Sequence, residues 1–439
     1  MKKILLSLAG NKLSRDILWT VGSFVILAAS GIFINIVVAY YRGAEALGIF
    51  NQAYSVYIVG SQIAAFGIHY SVLRSAAYHE TDRDKLGEIL LSGLVPALVL
   101  GIVFAVVIFL MKPIFAHLFS APTSEAIRFA ALGLALFPAT KVAIAFLNGL
   151  RRMKAFAAFQ AFRYIVVAGV VTAVAASNVP FVYSALCFVI AEVATILGAL
   201  AYILVRRLVG RWRVTRSWLV SHFIFGGKSL MAGMLGEINT RVDILCLGLL
   251  LDDAAVGIYS FAAMLIDGIY HLLAMVRVNF NPILVGAVRD KAWPDAQKLL
   301  HKSVRYAPLV IGAMSIGVFL FYWLTTTFIV PERGLQAGLP SLLILLTGIT
   351  LVSAYIPFDN MLLVGGYPGY QTVQQFTSVA VNVALNFALI PWLGIEGSAI
   401  GTCASYIASI FILTVFVQRF FGWNLLLNRY ESDGRSHAE

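Results

Sequence analysis

Twelve long apolar runs, separated by short polar loops, leave this chain one kind of structure. In hydrocarbon every backbone N–H and C=O needs a partner within its own segment, and a helix of about 20 apolar residues supplies one while spanning the bilayer core. The runs cover residues 18–41, 48–73, 88–111, 126–149, 155–177, 180–205, 223–250, 255–285, 306–330, 337–363, 371–392 and 396–420. The fold expected is an all-α integral membrane protein of about twelve transmembrane helices. The eighth run is long and is expected to break near Pro282.

Only 12% of the residues are charged, about half the share of a soluble domain. A net charge of +11 raises nucleic acid as a partner. The placement of the cations excludes it, because they gather in short clusters on alternate loops, as the positive-inside rule expects. The cluster-rich side holds Lys2, Lys3, Lys12 and Arg15; Arg74, Arg83 and Lys85; Arg151, Arg152 and Lys154; Arg206 to Arg216; Arg289 to Arg305; and Arg419, Arg429 and Arg435. The other side holds Arg42, Lys112, Arg128 and Arg333. A multi-pass protein of the bacterial inner membrane with both termini cytoplasmic follows as an expectation. Cys187, Cys246 and Cys403 each lie inside an apolar run, so free buried thiols are expected, with no metal spacing.

The segments divide the chain into an amphipathic cytoplasmic N-terminus at 1–17, an N-lobe at 18–205, a basic inter-lobe linker at 206–222, a C-lobe at 223–420 and a cytoplasmic tail at 421–439. The start, Met1-Lys2-Lys3-Ile4-Leu5-Leu6, imitates a signal peptide. Its apolar stretch is too short, and Asn11, Lys12, Arg15 and Asp16 follow at once. A short repeat supports two lobes. Ala46-Leu47-Gly48-Ile49-Phe50 returns as Ala255-Val256-Gly257-Ile258-Tyr259, 209 residues or six helices later, and Ala53 matches Ala262. An even offset implies parallel halves, with a site between them near mid-membrane. Pro96, Pro138, Pro282 and Pro357 each remove a helical hydrogen bond and are candidate kinks.

Several stretches resemble a known family. They are Val38-Ala39-Tyr40-Tyr41-Arg42-Gly43, Leu47 to Asn51 and Gly67-Ile68-His69; Val242-Asp243-Ile244-Leu245-Cys246-Leu247-Gly248 and Val256 to Ser260; and Asn382 to Pro391 followed by Gly394-Ile395-Glu396-Gly397-Ser398-Ala399-Ile400-Gly401-Thr402. The chain is similar to the polysaccharide transporter branch of the multidrug/oligosaccharidyl-lipid/polysaccharide exporter (MOP) superfamily, the Wzx-type O-antigen flippases. That resemblance implies two six-helix lobes around a central cavity, MATE-like. It implies movement of undecaprenyl-diphosphate-linked oligosaccharide to the periplasmic leaflet during O-antigen or lipopolysaccharide biosynthesis, beside a polysaccharide polymerase and a chain-length regulator. It implies no cofactor beyond coupling to H+ or Na+.

Charges kept inside spans are the candidates for function, since each costs at least about 2.5 kcal/mol at mid-bilayer. Lys141, Arg163, Arg241 and Arg277 are expected to line a cavity for the diphosphate and glycan, arginine offering a planar fork to phosphate oxygens. The plainer alternatives are snorkelling for Arg163 and Arg277, and an ion pair between Arg241 and Glu237. Lys228 lies near a span end and is expected to snorkel. Glu192, Glu237, Asp243 and Asp267 are the candidates for ion coupling, with Asp267 and His271 one helical turn apart as a possible relay. Asp243 also carries a fold role in the motif reading, and Asp359 is expected to be wet. Tyr54, Tyr57 and Tyr259 are candidates to stack on sugars.

Two other function classes compete. A drug/cation antiporter of the same superfamily favours an acidic cavity, which the membrane cations weigh against. A polysaccharide polymerase or ligase needs a substantial outside loop, and these loops are short. The chain shows no Gly-Lys-Ser/Thr phosphate loop, zinc spacing or nucleophile elbow, so no enzyme chemistry is expected.

Overall fold

The computed structural model describes residues 12–331 and 334–430, without the side chains of 12–18, 232 and 233. Expectations placed on residues 1–11, on Arg333 and on 431–439 lie outside the described residues. The chain forms two compact units, Met1–Glu237 and Ile238–Glu439. Among the described residues, nine helical stretches are long and apolar enough to cross a membrane, and ten if one bent pair counts as a single span.

The first unit begins with α1 (Lys12–Ala65), which contains the first expected span and most of the second, whose last residues, to 73, fall in the following helix. It is not one rod. Gly43 has φ 85, a left-handed backbone that a side chain disfavours. Asn51 Nδ2 donates to Asn35 Oδ1 at 3.1 Å. Sixteen residues along a straight helix would part those groups by about 24 Å, so the chain reverses at Gly43 and α1 is a helical hairpin. Arg42, beside the turn, donates to the carbonyls of Ala175, Ser177 and Val179 at the end of a later helix. A cation belongs at a helix C-terminus, and Arg42 is structural.

Next come α2 (Ile68–Tyr78), α3 (Arg83–Leu110), α4 (Lys112–Leu118), α5 (Ala121–Leu134), α6 (Phe137–Gly149), α7 (Met153–Ala176), α8 (Cys187–Val205) and α9 (Arg216–Asn239). The fourth expected span is the bent pair α5 and α6, turned by 45°. Pro138 stands at the start of α6, where its missing N–H costs no bond. On α3, Val99, Ile102, Val103 and Val106 are exposed at helical spacing, the reverse of a soluble helix and the form of a lipid-facing stripe. The unit's core gathers Ile68, Leu86, Ile89, Leu90, Phe146, Leu147 and Ile203.

The seventh expected span, 223–250, is the one without a qualifying helix. It is split between α9 and α10 (Val242–Leu250), and Lys228, Glu237, Arg241 and Asp243 lower its hydropathy. Most of α9 belongs to the first unit. Gly226 lies against the backbone of Phe66 and Gly67, so close that a Cβ on either glycine would strike the other strand of backbone. His222 bridges Ser71 Oγ at 2.8 Å and the Ile89 carbonyl at 3.2 Å.

The second unit continues with α11 (Asp253–Arg289), α12 (Trp293–Leu324), α13 (Leu339–Val352), α14 (Met361–Val364), α15 (Pro368–Leu393), α16 (Ile395–Phe421) and a two-strand hairpin, β1 (Trp423–Asn424) with β2 (Arg429–Tyr430). The break expected near Pro282 is absent, for α11 runs unbroken through it. A proline deletes one hydrogen bond, and neighbouring helices in a bundle tolerate that loss. Pro357 does mark a break, a tight turn at Ile356–Phe358 between α13 and α14. The core here joins Leu284, Trp293, Leu300, Phe358, Leu362, Leu413 and Trp423.

The repeat is visible in packing. Leu47, Phe50 and Ala53 are buried in the first unit, and Val256, Tyr259 and Ala262 are buried in the second. Each unit also closes a polar clasp over sixteen residues, Asn35 with Asn51 and Asp243 with Tyr259.

Candidate transport site

The first unit brings three of the sequence candidates together. Arg163 lies ten residues into the 24-residue helix α7, at mid-depth. Its Nε donates to Glu192 Oε1 at 2.7 Å, and the Glu192 side chain is fully buried. Tyr57, from the second arm of the α1 hairpin, donates to the same oxygen at 3.0 Å. The other oxygen, Oε2, is buried without a hydrogen-bond partner. The snorkelling alternative for Arg163 is thereby replaced by an inward salt bridge.

Lys141 projects from α6 and donates to Gln62 Oε1, a neutral acceptor, at 2.8 Å. Glu237 is within electrostatic reach of it. The Phe137 ring links the two cations: the Arg163 guanidinium is 4.7 Å and the Lys141 ammonium 5.6 Å from its centroid. The charges are therefore at most about 10 Å apart, held on an aromatic face that attracts cations. Phe188 stacks on Tyr57 at 4.4 Å and on Tyr54 at 5.7 Å.

In the second unit each expected arginine is paired. Arg241 Nη1 is 3.9 Å from Asp267 Oδ2, a salt bridge that the sequence reading did not name. Arg277 Nη1 is 3.0 Å from Asp359 Oδ2, and Gln374 Nε2 donates to Asp359 Oδ1 at 2.7 Å. Asp359 is thus a packed partner, not the wet carboxylate expected. Asp243 accepts from Tyr259 Oη at 2.8 Å and from the Ile244 N–H at 2.9 Å, and Tyr259 lies 3.4 Å from Thr402 Oγ1. The family-like stretches of the second unit meet at this point. Tyr57 and Tyr259 are 1% and 0% exposed, which removes them as sugar-stacking surfaces. Lys228 is exposed, as a snorkelling lysine should be.

Sequence reasoning missed a polar seam. Gln371, Gln374, Ser378, Asn382 and Asn386 are all buried along one face of α15. Ser398, Thr402 and Ser405 are buried on α16. Ser378 donates to the Ser405 carbonyl, and Gln374 donates to Ser409 Oγ at 3.2 Å. Asn386 Oδ1 and Asn382 Nδ2 are buried without hydrogen-bond partners. The signal was available: polar residues recur at three- and four-residue spacing from 371 to 386 inside an apolar run.

Comparison with known proteins now has a fold and a site to stand on. A family model described as Polysaccharide biosynthesis protein matches residues 13–288. The chain belongs to that family. Among solved structures, it is similar to an inward-facing multidrug resistance MATE family transporter of the MOP superfamily, with TM-score 0.70 and 15% identity, covering 90% of this chain and 94% of that one. It is similar to the lipid II flippase MurJ in an inward closed conformation, with TM-score 0.71 and 12% identity, covering 94% and 90%. A MOP superfamily transporter from Pyrococcus furiosus, described by the reverse polarity of its binding pocket, aligns with TM-score 0.61 and 12% identity, covering 94% and 97%. A search of curated proteins finds no match. At these identities the structures establish the fold, which is that of the MOP exporters. Family and fold together make this a multi-pass membrane protein of the polysaccharide biosynthesis family with the fold that MOP superfamily transporters share.

Proposed function

We propose that this protein is a flippase that carries undecaprenyl-diphosphate-linked oligosaccharide repeat units from the cytoplasmic to the periplasmic leaflet of the bacterial inner membrane. Its pathway would be assembly of O-antigen or another surface polysaccharide, with both termini cytoplasmic and a polymerase and chain-length regulator downstream. The observation that carries the reading is the pair of cations on Phe137. A diphosphate spreads its charge over two phosphoryl groups, and Lys141 and Arg163 offer two donors within about 10 Å of each other. The prenyl tail stays in lipid while the glycan crosses by alternating access. The family description and the lipid II flippase among the structural neighbours support the same substrate chemistry.

The test is to delete the gene in its host and measure in which leaflet lipid-linked glycan accumulates. Inner-leaflet accumulation, reversed by the wild-type gene, is expected. Unchanged surface polysaccharide together with new drug sensitivity would favour the drug/cation antiporter instead.

For H+ or Na+ coupling we place the ion at Asp243. Asp243 is 7% exposed, and its partner Tyr259 lies 3.4 Å from Thr402 of the seam, where unpartnered amide atoms favour a small polar guest. Glu192 is already committed to Arg163, while Glu237 and Asp267 are half-buried beside cations. Asp243→Asn keeps an acceptor for Tyr259 and is expected to fold normally, yet transport should lose its dependence on the ion gradient. Asp243→Ala strands the Tyr259 hydroxyl and should cost about 1–3 kcal/mol of stability. Gradient-dependent transport by the asparagine variant would remove Asp243 from coupling.

A further inference from the structure

Helix α12 changes character along one face. Lys298, Lys302 and Arg305 are exposed, and the same face continues through Leu309, Ile316 and Leu320, also exposed. The opposite face, Trp293, Ala296, Leu300 and Ser303, is buried. Exposed apolar side chains on a membrane helix mark hydrocarbon, and exposed cations mark water or headgroups. Lys302 and Leu309 are about 10 Å apart along the axis. Tyr306, 54% exposed, sits at the change, where interfacial aromatics belong. The cationic end of α12 is thus at the level of lipid phosphates.

An open pocket of about 500 Å³ lies at that level, lined by Pro294, Gln297, Lys298, His301, Lys302 and Asn428. Its floor is fixed. Gln297 Nε2 donates to the Asn428 carbonyl at 3.0 Å, and Asn428 Nδ2 donates back to the Gln297 carbonyl at 3.1 Å. Trp423 Nε1 also donates to Asn428 Oδ1, and Tyr430 stacks on Trp293 at 5.5 Å. The β1–β2 hairpin therefore builds one wall. Asp295 lies 3.2 Å from Lys298 with both side chains exposed, a weak surface pair that leaves Lys298, Lys302 and His301 free to turn toward a guest.

We propose that this pocket binds the phosphate headgroup of an anionic phospholipid from the adjoining leaflet, its acyl chains lying along the Leu309–Leu320 face of α12. A neutral zwitterionic headgroup brings a cation of its own and loses the advantage. The site is separate from the transport residues and does not rest on the substrate proposed for them.

The full-length protein in nanodiscs of phosphatidylcholine with a minority of phosphatidylglycerol provides the test. Native mass spectrometry is expected to show one phosphatidylglycerol retained in preference to phosphatidylcholine. Lys298→Gln with Lys302→Gln should weaken that retention about 30-fold, two basic residues near an anionic surface being worth that much. Lys298→Arg with Lys302→Arg should retain it, and Arg151→Gln with Arg152→Gln, an equal loss of charge in the other unit, should not disturb it. Equal retention of both lipids by the wild type overturns the proposal, as does an unaffected glutamine variant or an equal loss in the Arg151/Arg152 control. Displacement by soluble glycerol phosphate as readily as by phosphatidylglycerol would make it a site for free phosphate and not for lipid. Should the glutamine variant fail to fold, raising salt on the wild type must release the bound lipid, and a salt-independent lipid sinks the idea equally.

Discussion

Replacing Lys141 by glutamine is expected to slow transport of lipid-linked glycan about tenfold to a hundredfold, with the protein's abundance in the membrane unchanged. The ammonium donates to a neutral amide oxygen of Gln62, and although Glu237 is within electrostatic reach, no hydrogen bond to a carboxylate is formed by it among the described residues, so its other N–H groups can meet a substrate. A hydrogen bond to a charged group is worth about 1.5–3 kcal/mol, and each 1.4 kcal/mol is a factor of ten. Glutamine keeps an N–H for Gln62 and removes a charge that is costly to hold in the membrane, so folding should not suffer. Lys141→Arg should retain a larger part of the rate, because the charge persists. Arg277→Gln, which strips a cation already engaged by Asp359, serves as the comparison. The readout is the rate at which lipid-linked glycan becomes accessible on the outer leaflet of membrane vesicles. A Lys141→Gln rate within twofold of wild type would dismiss Lys141 as a substrate ligand.

The pattern of apolar runs carries helix positions because the hydrocarbon demands them, and α3, α7, α15 and α16 fall close to the expected limits. The first reversal was legible as well: the spans expected at 18–41 and 48–73 leave 42–47 as a loop, and the chain turns there at Gly43, where Asn35 and Asn51 meet across the hairpin. The seventh span fails for a reason that was readable: four charges in 223–250 dilute its hydropathy. Its adhesion to the first unit was not, since it depends on Gly226 meeting Gly67, residues remote in sequence.

Site residues divide in the same way. Arg163 and Glu192 were each visible as isolated charges in apolar runs, yet were assigned to different tasks. Two opposite charges at similar depth in adjacent spans should have been expected to pair. Which pairs form depends on helix rotation, and so Arg241 meets Asp267, which lies on another helix. Asp243 was placed by its motif, and the Tyr259 bond supplies the physical reason for that motif. The seam on α15 was hidden by averaging, because an amide every third or fourth residue barely changes the hydropathy of the run that contains it.

Glu192→Ala is expected to be the most damaging single substitution in the first unit, lowering stability by about 3–5 kcal/mol, the usual cost of removing one partner from a buried ion pair. The guanidinium of Arg163 would remain at mid-membrane with its Nε bond lost, and Tyr57, 1% exposed, would lose its acceptor as well. Glu192→Gln should cost less, because the amide oxygen still accepts from both donors. The decisive comparison is the double variant Arg163→Leu with Glu192→Leu. Apolar replacement of a whole buried pair is often neutral or stabilising, so thermal unfolding in detergent should recover most of the loss, short of wild-type stability by about 1–3 kcal/mol for the stranded Tyr57 hydroxyl. Transport should nevertheless stay lost, since one of the two cations on Phe137 is gone. If the double variant transports normally, the Arg163–Glu192 pair is a fold element only and Lys141 must hold the diphosphate without it. If the double variant is as unstable as Glu192→Ala, the damage comes from the stranded Tyr57 hydroxyl and lost packing around Phe188, and the uncompensated charge is not the cause.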